Sequence, residues 1–181
     1  MACMNRVAII VLLLSVAVFP SAAQELLPRW EAIEMAKSVD LHANEMKALI
    51  EQVRPKEWIQ DGAPQAFVTQ HEELLRDMDS LSLSAQDMMR NPEGLISVVD
   101  TFLWVDRMGS MISSLEQGVR KYQNAAVAEL LVAAQDRNTS ESGKLKGYLR
   151  QLAVAHEAEL EIADSEAQRC RAELARQPAQ R

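Results

Sequence analysis

Residues that build sheets, turns and disulfides are scarce in this chain. Aromatic residues make up 4% of its 181 residues, and it holds three threonines, six glycines, six prolines and two cysteines. Low glycine and proline contents, together with 48% hydrophobic residues, exclude collagen-like, linker-like and disordered chains. The abundant residues are Ala, Leu, Met, Glu, Gln and Arg, which favour helices over strands.

Basic residues and catalytic motifs are also lacking. The chain has 19 basic against 26 acidic side chains and a net charge of −7, which disfavours nucleic-acid binding because phosphates repel it. The sequence contains no Cys-x-x-Cys-His, His-Glu-x-x-His, Gly-x-Ser-x-Gly or Gly-x-x-x-x-Gly-Lys-Ser/Thr motif. No histidine has a glutamate three residues before it, so the ligand pattern of di-iron bundles is missing. These absences favour a non-enzymatic protein.

The first 23 residues have the features of a signal peptide. Arg6 precedes an apolar run over residues 7–19, and small residues at 21–23 stand just before Gln24. The apolar run is shorter than the roughly 20 residues needed to cross a bilayer. We therefore predict cleavage before Gln24, export to the periplasm or the medium, and a single mature domain over residues 24–181 with no integral membrane segment.

Cleavage would leave one cysteine in the mature chain. Cys3 departs with the signal peptide, so Cys170 has no partner for an internal disulfide. We expect Cys170 to be buried on the apolar face of its helix, because free cysteine is among the most buried residue types. In the alternative, the thiol is exposed and joins two chains in an oxidising compartment.

Apolar residues recur at alternating spacings of three and four along most of the mature chain, which is the pattern of amphipathic helices. Asn91-Pro92-Glu93 marks the start of the third of these helices, with Asn as its cap. Helices of this length joined by short connections form an all-α, antiparallel, four-helix-bundle-like domain. The four predicted helices span residues 28–53, 64–90, 92–122 and 141–176.

A further helical face spans residues 125–137. Its frame continues onto Asn138 and Glu141, two polar residues at positions that would point into the core. We therefore expect a break near residues 138–142, with residues 125–137 forming a short extra helix before the final one.

Three short segments carry a resemblance to a known group of proteins. Through them the chain resembles a family of small exported bacterial helical proteins. The resemblance implies a helical fold and bacterial export over most of the mature chain, and it implies no activity and no catalytic residue. The segments are Trp58 with Gly62-Ala63-Pro64 and Gln70, then Arg120-Lys121-Tyr122-Gln123-Asn124, and last Ala167-Gln168-Arg169-Cys170-Arg171.

Histidines and methionines on the helix faces suggest a cofactor site. If the first two helices run antiparallel, counting residues outward from the loop that joins them places His71 opposite Met46. The same count from the next loop places His71 beside the third helix. When the final helix starts near residue 140, His156 lies level with His42. Thioether and imidazole ligands together suit Cu(I), or a haem held non-covalently by one histidine and one methionine. The residues of this hypothetical cluster are His42, His71, His156, Met46, Met78, Met108 and Met111.

The alternative is a plain core, in which methionines fill gaps and each histidine is hydrogen-bonded. We favour this interpretation and assign no catalytic, cofactor or metal-binding residue. Trp58 is expected to fold back over the end of the bundle. The acidic run over residues 157–166 is expected to form a solvated face, and the arginines that follow it oppose the helix dipole.

The sequence thus predicts an exported, non-enzymatic helical bundle. We expect it to act in protein–protein interaction or in a structural role in the envelope, with an unknown protein partner or a second copy of itself. The alternative function is that of a ligand-binding bundle that holds copper or haem through core histidines and methionines.

Overall fold

A computed structural model describes residues 26–176, and this part of the chain is almost entirely helical. It contains no β-strand, so the predicted all-α fold is confirmed, and none of its helices is long and apolar enough to span a membrane. The predicted signal peptide, residues 1–23, lies outside the described residues. The helices are α1 (Arg29–Ile50), α2 (Pro55–Trp58), α3 (Ala66–Arg90), α4 (Leu95–Tyr122) and α5 (Ala125–Arg176), and a 3₁₀ turn at Ile59–Asp61 follows α2.

The four long helices pack as an antiparallel bundle in which α1 lies beside α3, and α3 lies beside α4. Lys47 Nζ of α1 is 2.6 Å from Asp79 Oδ1 of α3. Gln70 Nε2 of α3 donates a 3.2 Å hydrogen bond to the carbonyl of Met111 in α4. α5 packs against α4 and returns to α1, which closes the bundle.

The core is made of aliphatic residues and methionines from all four long helices. Three alanines on α1, at positions 32, 36 and 43, are fully buried and let this helix lie close to its neighbours. Four methionines fill the interior, as their flexible side chains commonly do. The largest fully buried residues include Met46, Ile50, Leu74, Met78, Leu81, Met88, Met108, Ile112, Leu115, Leu131 and Leu145.

The predicted break near residues 138–142 is wrong, because α5 runs without interruption from Ala125 to Arg176. Both polar residues that suggested the break are buried and have partners on neighbouring helices. Asn138 Nδ2 donates to the carbonyl of Val105 in α4 at 2.9 Å, and Glu141 Oε1 accepts from Ser38 Oγ in α1 at 2.9 Å. Because these bonds cross between helices, they leave the helical backbone of α5 intact, and residues 125–137 are simply its first part.

α4 starts later than the sequence predicts. Asn91 follows the last residue of α3, and its backbone N–H bonds the carbonyl of Asp87. The helix begins at Leu95, because the carbonyl of Asn91 accepts from the N–H of Gly94 in a tight turn and the carbonyl of Pro92 accepts from Tyr148 Oη of α5. The Asn-Pro-Glu segment is therefore a connector that α5 holds in place.

Trp58 covers the end of the bundle, as predicted. Its ring is buried and stacks on the ring of Tyr122, with 6.0 Å between centroids. The ring of Phe67 meets it edge-on at 5.7 Å. Gly118 lies against this group: a Cβ atom there would be 2.8 Å from both Trp58 Cζ3 and Phe67 Cε1.

α5 projects far beyond the other helices. It has 52 residues, whereas α1, α3 and α4 have 22, 25 and 28. Leu152 is the last buried residue of α5, and every residue from 157 to 176 is exposed. At a rise of 1.5 Å per residue, this projecting segment (residues 157–176) is about 30 Å long.

Candidate functional site

The structure places the three histidines in three different parts of the bundle, so the hypothetical cluster, which is not the favoured interpretation of the sequence, does not form. His71 Nε2 donates a 2.9 Å hydrogen bond to the carbonyl of Ile50, at the last turn of α1. His156 Nδ1 lies 3.3 Å from Glu159 Oε2, where α5 leaves the bundle. His42 is buried between α1 and α5. Among residues 26–176, no three His, Cys, Asp or Glu side chains come together as a metal site.

Two errors of register explain the difference. His71 lies level with Ile50 instead of Met46, one turn further along α1. The predicted level of His156 requires the final helix to start near residue 140. Because α5 starts at Ala125 and runs unbroken, His156 lies further along it, beside the Asn91–Ile96 connector.

His42 lines an open cavity of about 310 Å³ between α1 and α5. His42 is only 4% exposed, and its Nε2 atom has no hydrogen-bond partner among the described residues. Met46, one turn further along α1, lines the same cavity. The remaining lining residues are Glu45, Leu49, Leu130, Ala133, Ala134 and Arg137.

The surroundings of His42 favour the neutral form of its imidazole. Burial lowers the pKa of His42 below its ordinary value, and the positive charge of Arg137 lowers it further. The carboxylates of Glu141 and Glu45 and the backbone of Ala134 act in the opposite direction but do not reverse the shift. A neutral imidazole with a free nitrogen is able to bind a metal or to form a hydrogen bond with a ligand.

The boundary between α1 and α5 holds several charged and polar side chains. Arg137 Nη1 lies 2.5 Å from Glu45 Oε2 at the rim of the cavity. Glu141, which is 3% exposed, accepts from Ser38 through Oε1, but its Oε2 atom is without a partner within the described range. In the sequence, the signal for this region is the pair of polar residues Asn138 and Glu141 at core positions, a pattern that also suits a break in the helix.

The second candidate site is the projecting segment of α5. Its apolar side chains are uncovered: Leu160 is 70% exposed, and Ile162 and Leu174 are also largely exposed. Where the segment leaves the bundle, it forms an open cavity of about 630 Å³ with the connector before α4. Leu95 and Ile96 add exposed apolar surface there.

Five of the exposed residues of the projecting segment follow a coiled-coil pattern, and Ile162 lies outside it. Leu160, Ala163, Ala167, Cys170 and Leu174 stand at alternating spacings of three and four, which is the spacing of residues at the contact between paired helices. The stripe continues the buried face of the same helix, which ends at Leu152. The apolar face of α5 is therefore covered by the other helices as far as Leu152 and is uncovered beyond it.

The prediction that Cys170 is buried is wrong, because its side chain is exposed. It does lie on the apolar face of its helix, as predicted. However, α1, α3 and α4 all end near the level of Leu152, so within the described residues nothing packs against this part of α5.

Comparison of the chain with protein-family models, with curated proteins and with solved structures found no match.

Proposed function

We propose that this protein is an exported, non-enzymatic helical bundle that acts in protein–protein interaction, and that its projecting segment binds a second copy of the chain. The uncovered apolar stripe of residues 157–176 is the observation that carries this proposal. The non-enzymatic part rests on the lack of catalytic motifs, and the exported part rests on the signal-peptide pattern of residues 1–23.

A helix of this kind needs a partner. Most helical stability in proteins comes from packing an apolar face against a neighbour. The projecting segment has 20 residues, and the side chains of Leu160, Ile162 and Leu174 face solvent in a single copy. Pairing along the stripe would remove the surfaces of Leu160 and Leu174 from water, which is favourable at about 25 cal/mol per Å², whereas Ile162 lies outside the stripe.

The charges of the segment favour a second copy in the antiparallel orientation. Five acidic residues lie in its first half, over 157–166, whereas its second half holds the arginines at 169, 171 and 176 and one acid, Glu173. An antiparallel pair sets the acidic half of each copy beside the basic half of the other. A parallel pair sets acids beside acids along the first half, which is unfavourable.

The spacing of the stripe fits this orientation. A register centred on residue 165 places Leu160 opposite Cys170 of the second copy, and Ala163 opposite its Ala167. The small alanines at the centre allow the two helices to approach closely, and the leucines close both ends of the contact. The same register brings Glu157 of one copy within two residues of Arg171 of the other at each end, which is an opposite-charge contact, and level with Glu173, which is a like-charge contact.

Such a pair also fits a structural role. The two bundles would lie at opposite ends of a shared two-helix rod, because each projecting segment is about 30 Å long. The end of each helix would then reach the cavity beside Leu95 and Ile96 of the other copy.

The experiment is sedimentation equilibrium of the mature chain, residues 24–181, with substitutions of exposed leucines. We expect the parent to have twice the mass of one chain and Leu160→Glu to be monomeric, because the substitution buries a charge at the contact. The matched control is Leu83→Glu, which alters a leucine that is 62% exposed on α3, and we expect it to remain dimeric. A monomeric parent at concentrations up to the millimolar range contradicts the proposal.

A further inference from the structure

The cavity between α1 and α5 contains two soft metal ligands on one helix face. His42 and Met46 are four residues apart on α1, and both line this cavity. Side chains at this spacing lie one above the other on a helix, which is how histidine pairs on helices hold zinc. The two residues are therefore placed to approach a single ion.

The His42 ring has a free nitrogen that the protein itself does not use. Nε2 is buried, and no donor or acceptor from residues 26–176 reaches it. A buried polar atom without a partner costs about 1–3 kcal/mol, so such atoms in native structures call for an explanation. A ligand in the cavity would supply the missing partner.

We propose that His42 and Met46 bind Cu(I) in the cavity between α1 and α5. Imidazole and thioether donors together select this soft, monovalent ion over hard cations, which prefer carboxylate and carbonyl oxygens. This inference is independent of the pairing of the projecting segment, which lies at the other end of α5.

The charges around the cavity agree with a monovalent cation. Arg137 contributes one positive charge beside His42, and the carboxylates of Glu45 and Glu141 contribute two negative charges. Lys144 lies 3.3 Å from Glu141 Oε1, but its side chain extends into solvent, where water screens it. Glu141 Oε2 has no partner in the described part of the chain. The negative charge of this carboxylate therefore favours a cation nearby.

The same geometry disfavours the haem part of the earlier hypothesis at this cavity. A haem with one histidine and one methionine needs these ligands on opposite faces of the ring. His42 and Met46 both come from α1, whereas α5 contributes Leu130, Ala133, Ala134 and Arg137 to the lining. None of these α5 side chains is an axial haem ligand.

The test is anaerobic competition for Cu(I) against a chromophoric Cu(I) chelator. All proteins carry Cys170→Ser, because the exposed thiol of Cys170 would bind copper on its own. We expect the parent in this background to withdraw one equivalent of Cu(I) from the chelator. We expect His42→Leu and Met46→Leu each to weaken binding by about tenfold or more, since loss of even an outer-shell group costs 10- to 100-fold.

The matched controls are His71→Leu and Met78→Leu. His71 lies in a different part of the bundle, and Met78 is a buried methionine of α3, so both should leave Cu(I) binding unchanged. Helical circular dichroism of every variant shows whether the fold is intact. If His42→Leu fails to fold, His42→Gln replaces it, with the same loss expected.

X-ray absorption of the copper-loaded parent provides an independent readout. We expect one nitrogen and one sulfur neighbour at the copper, with the sulfur signal absent in Met46→Leu. The proposal is contradicted if the parent does not compete for Cu(I), if His42→Leu or Met46→Leu binds as the parent does, or if the controls lose binding equally.

Discussion

Substitution of Gly118 by alanine should destabilise the bundle, although alanine favours helices. A Cβ atom at this position would lie 2.8 Å from Trp58 Cζ3 and 2.8 Å from Phe67 Cε1. Both rings are held by their contacts with each other and with Tyr122, so moving them apart would break these contacts. Overpacking of this kind costs about 1–3 kcal/mol, and the gain in helix propensity returns only about 0.5–1 kcal/mol. We therefore expect a net loss of about 1 kcal/mol in the free energy of unfolding.

The same substitution at other glycines should have the opposite effect. A Cβ atom at Gly109 would meet Gln135 Nε2 at 3.1 Å, which is the end of a flexible side chain. At Gly143, no atom of the described residues outside the local backbone lies within 4 Å of the added Cβ. We expect Gly109→Ala to be neutral or mildly stabilising, and Gly143→Ala to stabilise by about 0.5–1 kcal/mol.

Urea unfolding followed by circular dichroism measures all three variants in one assay. The reasoning predicts the order Gly143→Ala, Gly109→Ala, parent, Gly118→Ala from most to least stable. The packing argument is refuted if Gly118→Ala is as stable as the parent. The claim that α5 is continuous through residue 143 is refuted if Gly143→Ala destabilises the protein.

Two further predictions concern Tyr148 and Cys170. Burial, followed by the negative charge of Glu93, raises the pKa of Tyr148, so the unfolded chain ionises first and stability should fall as the pH rises above about 10. Tyr148→Phe should weaken that fall in urea unfolding, and at pH 8 it should cost about 0.5–1.5 kcal/mol through the lost hydrogen bond to Pro92. Cys170 should react quickly with a bulky thiol reagent in dilute protein and more slowly as the protein concentration rises. In the Leu160→Glu variant, Cys170 should react quickly at every concentration. A slow reaction in dilute protein would contradict the observed exposure of Cys170.

The helices and part of their register could be predicted from periodicity alone. Spacings of three and four located the four buried faces, and the pairing of α3 with α4 follows from the short connector at residues 91–94. The hydrogen bond from Gln70 to Met111 shows that the part of α3 around His71 lies beside α4, as predicted. The position of Trp58 was predictable as well, because its short loop lies at the end of the bundle, where a large ring can pack over the core.

The errors have a common physical origin. Hydropathy reports that Asn138 and Glu141 are polar, but not that Val105 and Ser38 on other helices satisfy them. Once a break was placed there, the final helix was shifted along the bundle and His156 was misplaced with it. The exposure of Cys170 was equally hidden, because an apolar stripe shows the same pattern whether or not a neighbouring helix extends far enough to cover it.

The central claim is that the projecting segments of two copies pair in the antiparallel orientation, and a spin-label distance tests it most directly. In a Cys170→Ala background, a label on Glu173→Cys lies at an exposed position of the segment. The antiparallel register places residue 173 opposite residue 157 of the second copy, so the two labels should be offset by about 24 Å along the helix axis. A dipolar distance of at least that length is the predicted result; no dipolar signal, or a short distance from labels held side by side, would contradict the account.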